Sequence, residues 1–456
     1  MWDERCAQIF KECVTGFKEN KIKYFVLRNY KGLPENNPAK DIDIIIEPGK
    51  LKECRKILLD AYKRHGIDRV YEVHFGKLYC LHGMSVKNKI GIHFDLIDGY
   101  DVKGYQVYGF NELYAHTEWY NDFCVLNDFM NAIMLLIYKQ FGYKKPVFKD
   151  EYKDEIVNTY NKYPDEFKRE VSKITSEELA DEICECIEKK DFDKIIAKTK
   201  TFDKQVKRYV NRKRFFKTRL SSLKFILQNI GKIVFAYRKY ARTTAVIAPD
   251  GAGKTTFIDN LEKQLNFYYV NSPEHSRMHV YHFRPTVLPN LGELGEKAGV
   301  MEQDKNFTDP HRGKPANPIS SFFRMGYYTL DYIFGFMKCV RQDVHYDRHV
   351  LFDRYSYDFI VDPRRSKINL PMCLRRFFVW LTPQPKIVFV LDAPEDVIYA
   401  RKQELDRETI KELLAVYRDL AKRKKRFTII NAEKSPDEMA EEAATIFIDK
   451  FTKKLD

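Results

Sequence analysis

Thr243-Thr244-Ala245-Val246-Ile247-Ala248-Pro249-Asp250-Gly251-Ala252-Gly253-Lys254-Thr255-Thr256 reads as a β-branched strand running straight into a glycine loop and then a helix. Small residues let the loop's backbone N–H groups wrap an anion, and the dipole of the helix expected over residues 256–265 adds to the attraction. In such a loop Gly251, Ala252, Gly253, Lys254, Thr255 and Thr256 cradle the phosphates of a nucleotide. Lys254 supplies the charge facing the β- and γ-phosphates, and Thr255 supplies a hydroxyl to Mg²⁺. One position departs from the GxxxxGK[ST] spacing. Ala248 stands at the first glycine, and its methyl fits if φ stays negative.

Working outward, His349-Val350-Leu351-Phe352, Ile387 to Leu391 and Phe427 to Ile430 are continuous apolar runs between helical stretches. Runs of that kind indicate a parallel sheet covered on both faces. Upstream, residues 1–118 alternate helices with strands at Tyr24–Leu27, Ile42–Ile46 and Ile90–Ile97. Residues 119–240 carry helix-period apolar positions among many charges. The expectation is an α/β chain in three parts: an α/β domain at 1–118, a helical middle at 119–240 and a parallel-sheet domain at 241–456.

The chain has 456 residues, 44% hydrophobic and 32% charged, which suits two or three globular domains and excludes a disordered or fibrous protein. Its start shows no basic-then-apolar signal segment, and no apolar run approaches the ~20 residues of a membrane span. Nine cysteines without a CxxC pair argue against a disulfide framework or a zinc site, and for a reducing cytoplasm. The net charge, 79 − 65 = +14, suits an anionic partner, but a lysine-rich proteome explains it equally well.

Three further motifs turn the loop into a family resemblance. Ala248 to Thr256 matches the GxDGAGK[ST]T loop of thymidylate kinases and related nucleoside monophosphate kinases in all but its first glycine. Asp353-Arg354-Tyr355 resembles that family's DR[YHS] motif. Leu391-Asp392-Ala393-Pro394-Glu395 is similar to its LD.PPE segment, followed by a lid-like basic stretch at Arg401, Lys402 and Arg407. Order and rough spacing agree over residues 243–450. The resemblance implies ATP and Mg²⁺ as cofactors. It implies that Asp353 holds Mg²⁺ through water or orients the acceptor, and that Arg354 grips the acceptor's phosphate or the transferring group. Arg401 and Lys402 would close over the phosphoryl group, and Asp250 would bond an acceptor hydroxyl. A solvated basic helix face explains Arg401 and Arg407 as well.

The acceptor side departs from the family. His282-Phe283-Arg284-Pro285 stands where a strand ends in the arginine that binds the acceptor's phosphate. The Gly-, Pro- and His-rich segment Thr286–Pro318 is expected to loop over the acceptor site. Asp358 to Arg365 replaces the usual pocket residues with two carboxylates and two arginines. Arg324, Tyr327, Tyr328, Asp331 and Tyr332 fall on the intervening helix, the tyrosines as packing residues. Arg284, Arg364 and Arg365 therefore read as acceptor ligands for a substrate richer in anionic or hydroxyl groups than a pyrimidine monophosphate. The pattern is similar to a divergent thymidylate-kinase-like branch associated with surface-polysaccharide biosynthesis.

At the other end, Asp41-Ile42-Asp43 opens a strand and Asp95 lies inside a later one. Carboxylates at i and i+2 share a strand face, and a third from a neighbouring strand completes a two-metal site. This resembles the nucleotidyltransferase (polymerase β-like) fold, with Leu27-Arg28-Asn29-Tyr30 where that family has a Gly-Ser turn. Arg28 and Asn29 either bind phosphate differently or mark a degenerate site, and carboxylates capping strand ends are the plainer alternative. The basic segment Lys204–Arg242, interleaved with Phe215, Phe216, Leu220, Leu223 and other apolar residues, reads as helices packing two domains together or as a peripheral membrane-surface helix. No nucleic-acid-binding module is visible.

The sequence thus points to an ATP-dependent phosphotransferase acting on a small molecule, saccharide or sugar phosphate, joined to a nucleotidyltransferase-like domain. A dTMP kinase, and an ATP-binding switch or macromolecule-modifying nucleotidyltransferase of the defence or toxin kind, are the alternatives. Acceptor identity, amino-terminal turnover and oligomeric state, a homodimer included, stay open.

Overall fold

A computed structural model describes residues 2–37, 41–142, 146–234, 242–271, 276–289, 317–345, 347–403, 405–423 and 425–455. The chain is mixed α/β and divides into two compact units. One comprises Met1–Ile230, Tyr268–Val270 and Thr452–Asp456, and the other Gly231–Phe267 and Asn271–Phe451.

The first unit is built on strands β1 (Tyr24–Val26), β2 (Asp41–Ile46), β3 (Arg69–Phe75), β4 (Leu78–Ser85), β5 (Ile90–Asp98), β6 (Thr117–Tyr120), β7 (Phe123–Leu126) and β13 (Lys453–Lys454). They form one mixed sheet in the order β13-β3-β4-β5-β2-β1-β7-β6. The interior strand β2 pairs parallel with β5 and antiparallel with β1. Ile42, Ile44, Ile45 and Ile46 are all buried, as are Ile92, Phe94 and Leu96 on β5. Helices Glu4–Glu19 and Leu51–Arg64 pack together; a methyl added at Gly16 would meet Ile57 Cγ2 at 2.6 Å.

The helices after residue 127 share the core of this sheet, which extends without a break from Cys6 to Val210. Within the stretch expected to be helical, residues 117–126 instead make a hairpin. Trp119, Tyr120, Phe123, Cys124 and Val125 favour a pleated surface. Asn121 takes the left-handed turn conformation (φ 52°) that asparagine tolerates.

The basic segment forms two successive helices within Thr199–Val234, which meet at the non-helical Arg214 (φ −145°, ψ 42°). Its first half buries Phe202, Val206 and Val210. Its second half rests on two turns of the sheet: Gly76 N–H donates to Gln228 Oε1 (3.1 Å), and Ser222 Oγ donates to the Lys103 carbonyl (3.2 Å). Gly104 (φ 90°) is required there, because a Cβ would lie 2.5 Å from Ser222 N. Residues 235–241, the end of the basic segment, lie outside the described residues. Among the described residues no helix is long and apolar enough to cross a membrane.

The second unit carries β8 (Arg242–Ile247), β9 (Met278–His282), β10 (His349–Asp353), β11 (Ile387–Asp392) and β12 (Phe427–Asn431), in the order β12-β11-β8-β10-β9. Every pairing is parallel, as the apolar runs predict. β8 is buried along its whole length: Ala245, Val246 and Ile247 are apolar on both faces, and at the other end the buried Arg242 is paired with Asp347 at 2.8 Å. Asp353 pairs with both Val246 and His282, while Asp392 pairs with Asn431. The carboxyl ends of the strands therefore lie along one edge, where open α/β sheets hold ligands.

The helix Lys254–Tyr268 lays Phe257, Ile258, Leu261 and Leu265 against the sheet, with the Phe257 ring edge-on to Phe389 at 5.9 Å. Phe389→Ala removes a fully buried ring from β11 and its contact with this helix. It is expected to cost about 3–5 kcal/mol of unfolding free energy, read from urea denaturation.

Candidate functional site

β8 ends at Ile247, and the loop 248–253 turns the chain into the helix that opens at Lys254. Gly251 (φ 87°) and Gly253 (φ 86°) take the left-handed conformations that such a loop needs. Ala248 is not among the residues with positive φ and is fully buried, so its methyl is accommodated. Lys254 is buried and donates from Nζ to the carbonyls of Ala248 and Pro249, both at 3.0 Å; Asp250 Oδ1 lies 3.5 Å away. Thr255 and Thr256 are exposed in the first turn of the helix.

Asp250 is the hub of the surrounding charges. Arg354 donates to its Oδ1, and Arg365 Nη1 reaches its Oδ2 at 2.5 Å. Arg354 also pairs with the buried Asp358 (3.0 Å), which accepts from Tyr417 at 3.4 Å. Burial pushes the Asp250 carboxyl up, but Arg354, Lys254 and Arg365 outweigh it and hold it well below the carboxylate range. Arg354 sits at φ 71°, and its backbone N–H is fixed to the Val246 carbonyl at 2.8 Å. A left-handed arginine stores strain of the kind that collects at functional sites.

Asp353 lies beside it at the end of β10. Its Oδ2 is 3.2 Å from His282 Nδ1, while its Oδ1 is buried without a hydrogen-bond partner among the described residues. A carboxylate oxygen in that condition fits a metal-bound water or an acceptor hydroxyl.

The expected acceptor ligands fare differently. Arg284 Nη1 pairs with Asp331 at 2.8 Å, and its guanidinium lies 4.5 Å from the Tyr328 ring centroid. Asp331 is fully buried and also accepts from the N–H groups of Val287 and Leu288, so it locks the arginine loop in place. Arg365 is drawn to Asp250, whereas Arg364 is exposed. Tyr332 and Tyr328 pack on Phe359, Tyr328 with parallel rings. Of the segment expected to loop over the acceptor, residues 290–316 lie outside the described residues.

In the lid-like stretch, a methyl added at Gly251 would come within 3.0 Å of Lys402 Cβ and 3.1 Å of the Ile398 carbonyl. Lys402 therefore flanks the loop. Arg401 is exposed and donates to the Ala432 carbonyl (3.1 Å), and Arg407 lies over Tyr399.

In the first unit, Asp41, Asp43 and Asp95 converge, with oxygens that all lie within 4.8 Å of one another. The parallel register sets Asp43 opposite Asp95 and Asp41 opposite His93. Arg28 Nε donates to Asp43 Oδ2 at 2.8 Å, its guanidinium 4.9 Å from the Tyr138 ring. Asn29 (φ 56°) supplies the turn conformation where a Gly-Ser pair was expected. Burial, opposed by Arg28 but reinforced by Asp41 and Asp95, pushes the Asp43 carboxyl up to about 6. Burial and the Arg28 charge push Lys139 down to about 8.

Sequence reading placed Asp358 among the acceptor-pocket carboxylates and did not pair it with Arg354, which the i+4 spacing could have flagged. It also missed Lys139, which nothing short of the packed structure places near the carboxylates. No family model matches the chain, and a search of curated proteins finds no significant match.

Two titrations follow from these environments. Burial and the Arg354 charge push Lys254 down to about 8. A phosphate group held in this loop would favour the ammonium, so a phosphate-bearing ligand that binds here at about pH 8.5 should take up a proton that it does not take up near pH 7. Calorimetry in buffers of different ionisation heat measures the uptake, which should disappear in Lys254→Met.

Asp43, with its pKa raised, contributes stability that is present below the ordinary carboxylate range and is lost as pH rises through about 6. Arg28→Ala leaves that buried charge unpaired and should cost about 3–5 kcal/mol near pH 8. The deficit should shrink toward pH 5, where a protonated Asp43 needs no partner. Urea unfolding across that range reads the difference.

Proposed function

We propose that the second unit is an ATP-dependent phosphotransferase of the thymidylate-kinase-like class, acting on a sugar phosphate or another anionic, polyhydroxylated small molecule. The observation that carries the reading is the strand–loop–helix element itself. A buried lysine and two left-handed glycines stand at the carboxyl edge of a parallel sheet, with Asp353 at the end of the adjacent strand and Arg354 just beyond it. Bound MgATP would supply the transferable phosphoryl group and part of the charge that neutralises it.

The chain's own residues supply the rest. The loop amides and Lys254 hold the phosphates, and Thr255 offers a hydroxyl to the metal. Asp353 presents an unpartnered oxygen to a metal-bound water or to the acceptor hydroxyl, orienting its lone pair and accepting its proton. Arg354, fixed on both sides by Asp250 and Asp358, presents its charge without having to reorganise during the reaction. Arg284, braced by Asp331 and Tyr328, is the best-held candidate for the acceptor's anionic group. Lys402 beside Gly251 suits a lid role, which the Arg401 bond to Ala432 supports less well.

The first unit has a second reading, as a metal-dependent nucleotidyltransferase. The convergence of Asp41, Asp43 and Asp95 favours it, and the Arg28 pair on Asp43 opposes it.

ATP turnover measured against dTMP, hexose phosphates and glycan fragments tests the proposal. Lys254→Ala should abolish phosphoryl transfer while circular dichroism stays native; unchanged turnover would sink the kinase assignment. Asp353→Asn should lower kcat by about 10²-fold or more with ATP affinity little changed, and Arg354→Ala should lower kcat at least as much while also weakening ATP binding through the loop it holds. Preference for dTMP over every sugar phosphate would overturn the acceptor class.

A further inference from the structure

One face of the first unit's sheet is a grid of metal-ligating residue types. The registers of β4, β5 and β2 align Cys80, Asp95 and Asp43 in one row, and His82, His93 and Asp41 in the next. Positions two apart on a strand share a face, and directly paired residues share it across strands. The carboxylates occupy one side of this grid and the sulfur and imidazole donors the other, with Asp95 between them.

On that second side Cys80, His93 and Asp95 bring a sulfur, a ring nitrogen and a carboxylate oxygen within 4.8 Å of one another. All three residues are buried, at 4%, 4% and 8% exposure. His93 Nε2 and Asp95 Oδ1 already stand 2.8 Å apart. Around a tetrahedral zinc, bonds of about 2.3 Å to sulfur and about 2.0–2.2 Å to nitrogen and oxygen put donor atoms roughly 3.3–3.7 Å from each other. The observed cluster reaches that spacing by small side-chain adjustments without a change in strand register. The His82 ring stacks on His93 at 3.7 Å between centroids and fixes the plane of the imidazole.

From this placement we infer that Cys80, His93 and Asp95 form a binding site for a zinc-class divalent cation, with Asp95 shared with the Asp41–Asp43 carboxylates. The chemistry of the donors selects the ion. A thiolate and an imidazole prefer zinc or cobalt to magnesium or calcium, which prefer oxygen alone. Three protein donors leave a fourth position for water or a substrate atom, the arrangement of reactive rather than closed zinc sites. The site rests on neither reading of the two units as enzymes. No CxxC spacing marks it, because its ligands come together across strands.

The test uses the full chain stripped with chelator and titrated with Co²⁺ and then Zn²⁺ alone. The expected result is one bound Co²⁺ with tetrahedral visible bands and a near-ultraviolet sulfur-to-cobalt charge-transfer band, bleached by Zn²⁺. Cys80→Ser should remove the charge-transfer band and weaken Zn²⁺ binding at least about tenfold, the scale that even outer-shell losses produce. His93→Ala should weaken it similarly. Cys373→Ser, at the exposed cysteine, and Asp41→Asn should both keep the band. A wild-type chain that shows no thiolate band with Co²⁺ overturns the inference without recourse to any variant. So does Zn²⁺ affinity unchanged in a natively folded Cys80→Ser protein.

Discussion

The guanidinium of Arg354 joins the separate pieces of the second unit's glycine-loop edge. It is buried between Asp250 on the loop and Asp358 on the helical turn that follows β10. A charge taken out of water must be paired, and pairing one cation with two carboxylates fixes the loop, the strand end and the turn to a single geometry. The left-handed backbone at Arg354 and its bond to the Val246 carbonyl belong to the same constraint. Lys254 and Arg365 complete the arrangement around Asp250, so the loop is shaped by the protein's own charges.

The first unit meets the same constraint with the signs exchanged. Three carboxylates share one sheet face, and Arg28 neutralises one of them. Burial raises Asp43 and lowers Lys139, which reduces the charge the face must carry. In the first unit the carboxylates stand on the interior strands β2 and β5, where backbone hydrogen bonding fixes their positions, whereas in the second unit the charged groups sit on the loop and turns beyond the strand ends and are held by one another.

Strands were legible where an unbroken apolar run marked them, as at Ala245–Ile247 of β8, Val350–Phe352 of β10 and Ile387–Leu391 of β11. β4, buried along nearly its whole length, was not, because His82, Gly83 and Ser85 interrupt its apolar residues. β3 was not legible. Arg69-Val70-Tyr71-Glu72-Val73-His74-Phe75 exposes or half-buries most of its side chains, so its pattern resembles the charged segments around it. β6 and β7 were hidden by the helices that follow, although Asn121-Asp122 between two aromatic, β-branched runs is a hairpin signal.

By itself the sequence determined the strand–glycine loop–helix element, the parallel sheet behind it and the placing of Asp41 and Asp43 on one strand face, because each depends on neighbours within a few residues. Periodicity and loop chemistry are local, and local rules read directly from the chain. Only the tertiary structure decided which charges face each other. Asp250 meets Arg354 and Arg365 across more than a hundred residues, Arg284 meets the buried Asp331, and Cys80 meets His93 and Asp95 through strand register. Register and burial depend on how whole strands pair, and no spacing rule in the sequence encodes that choice.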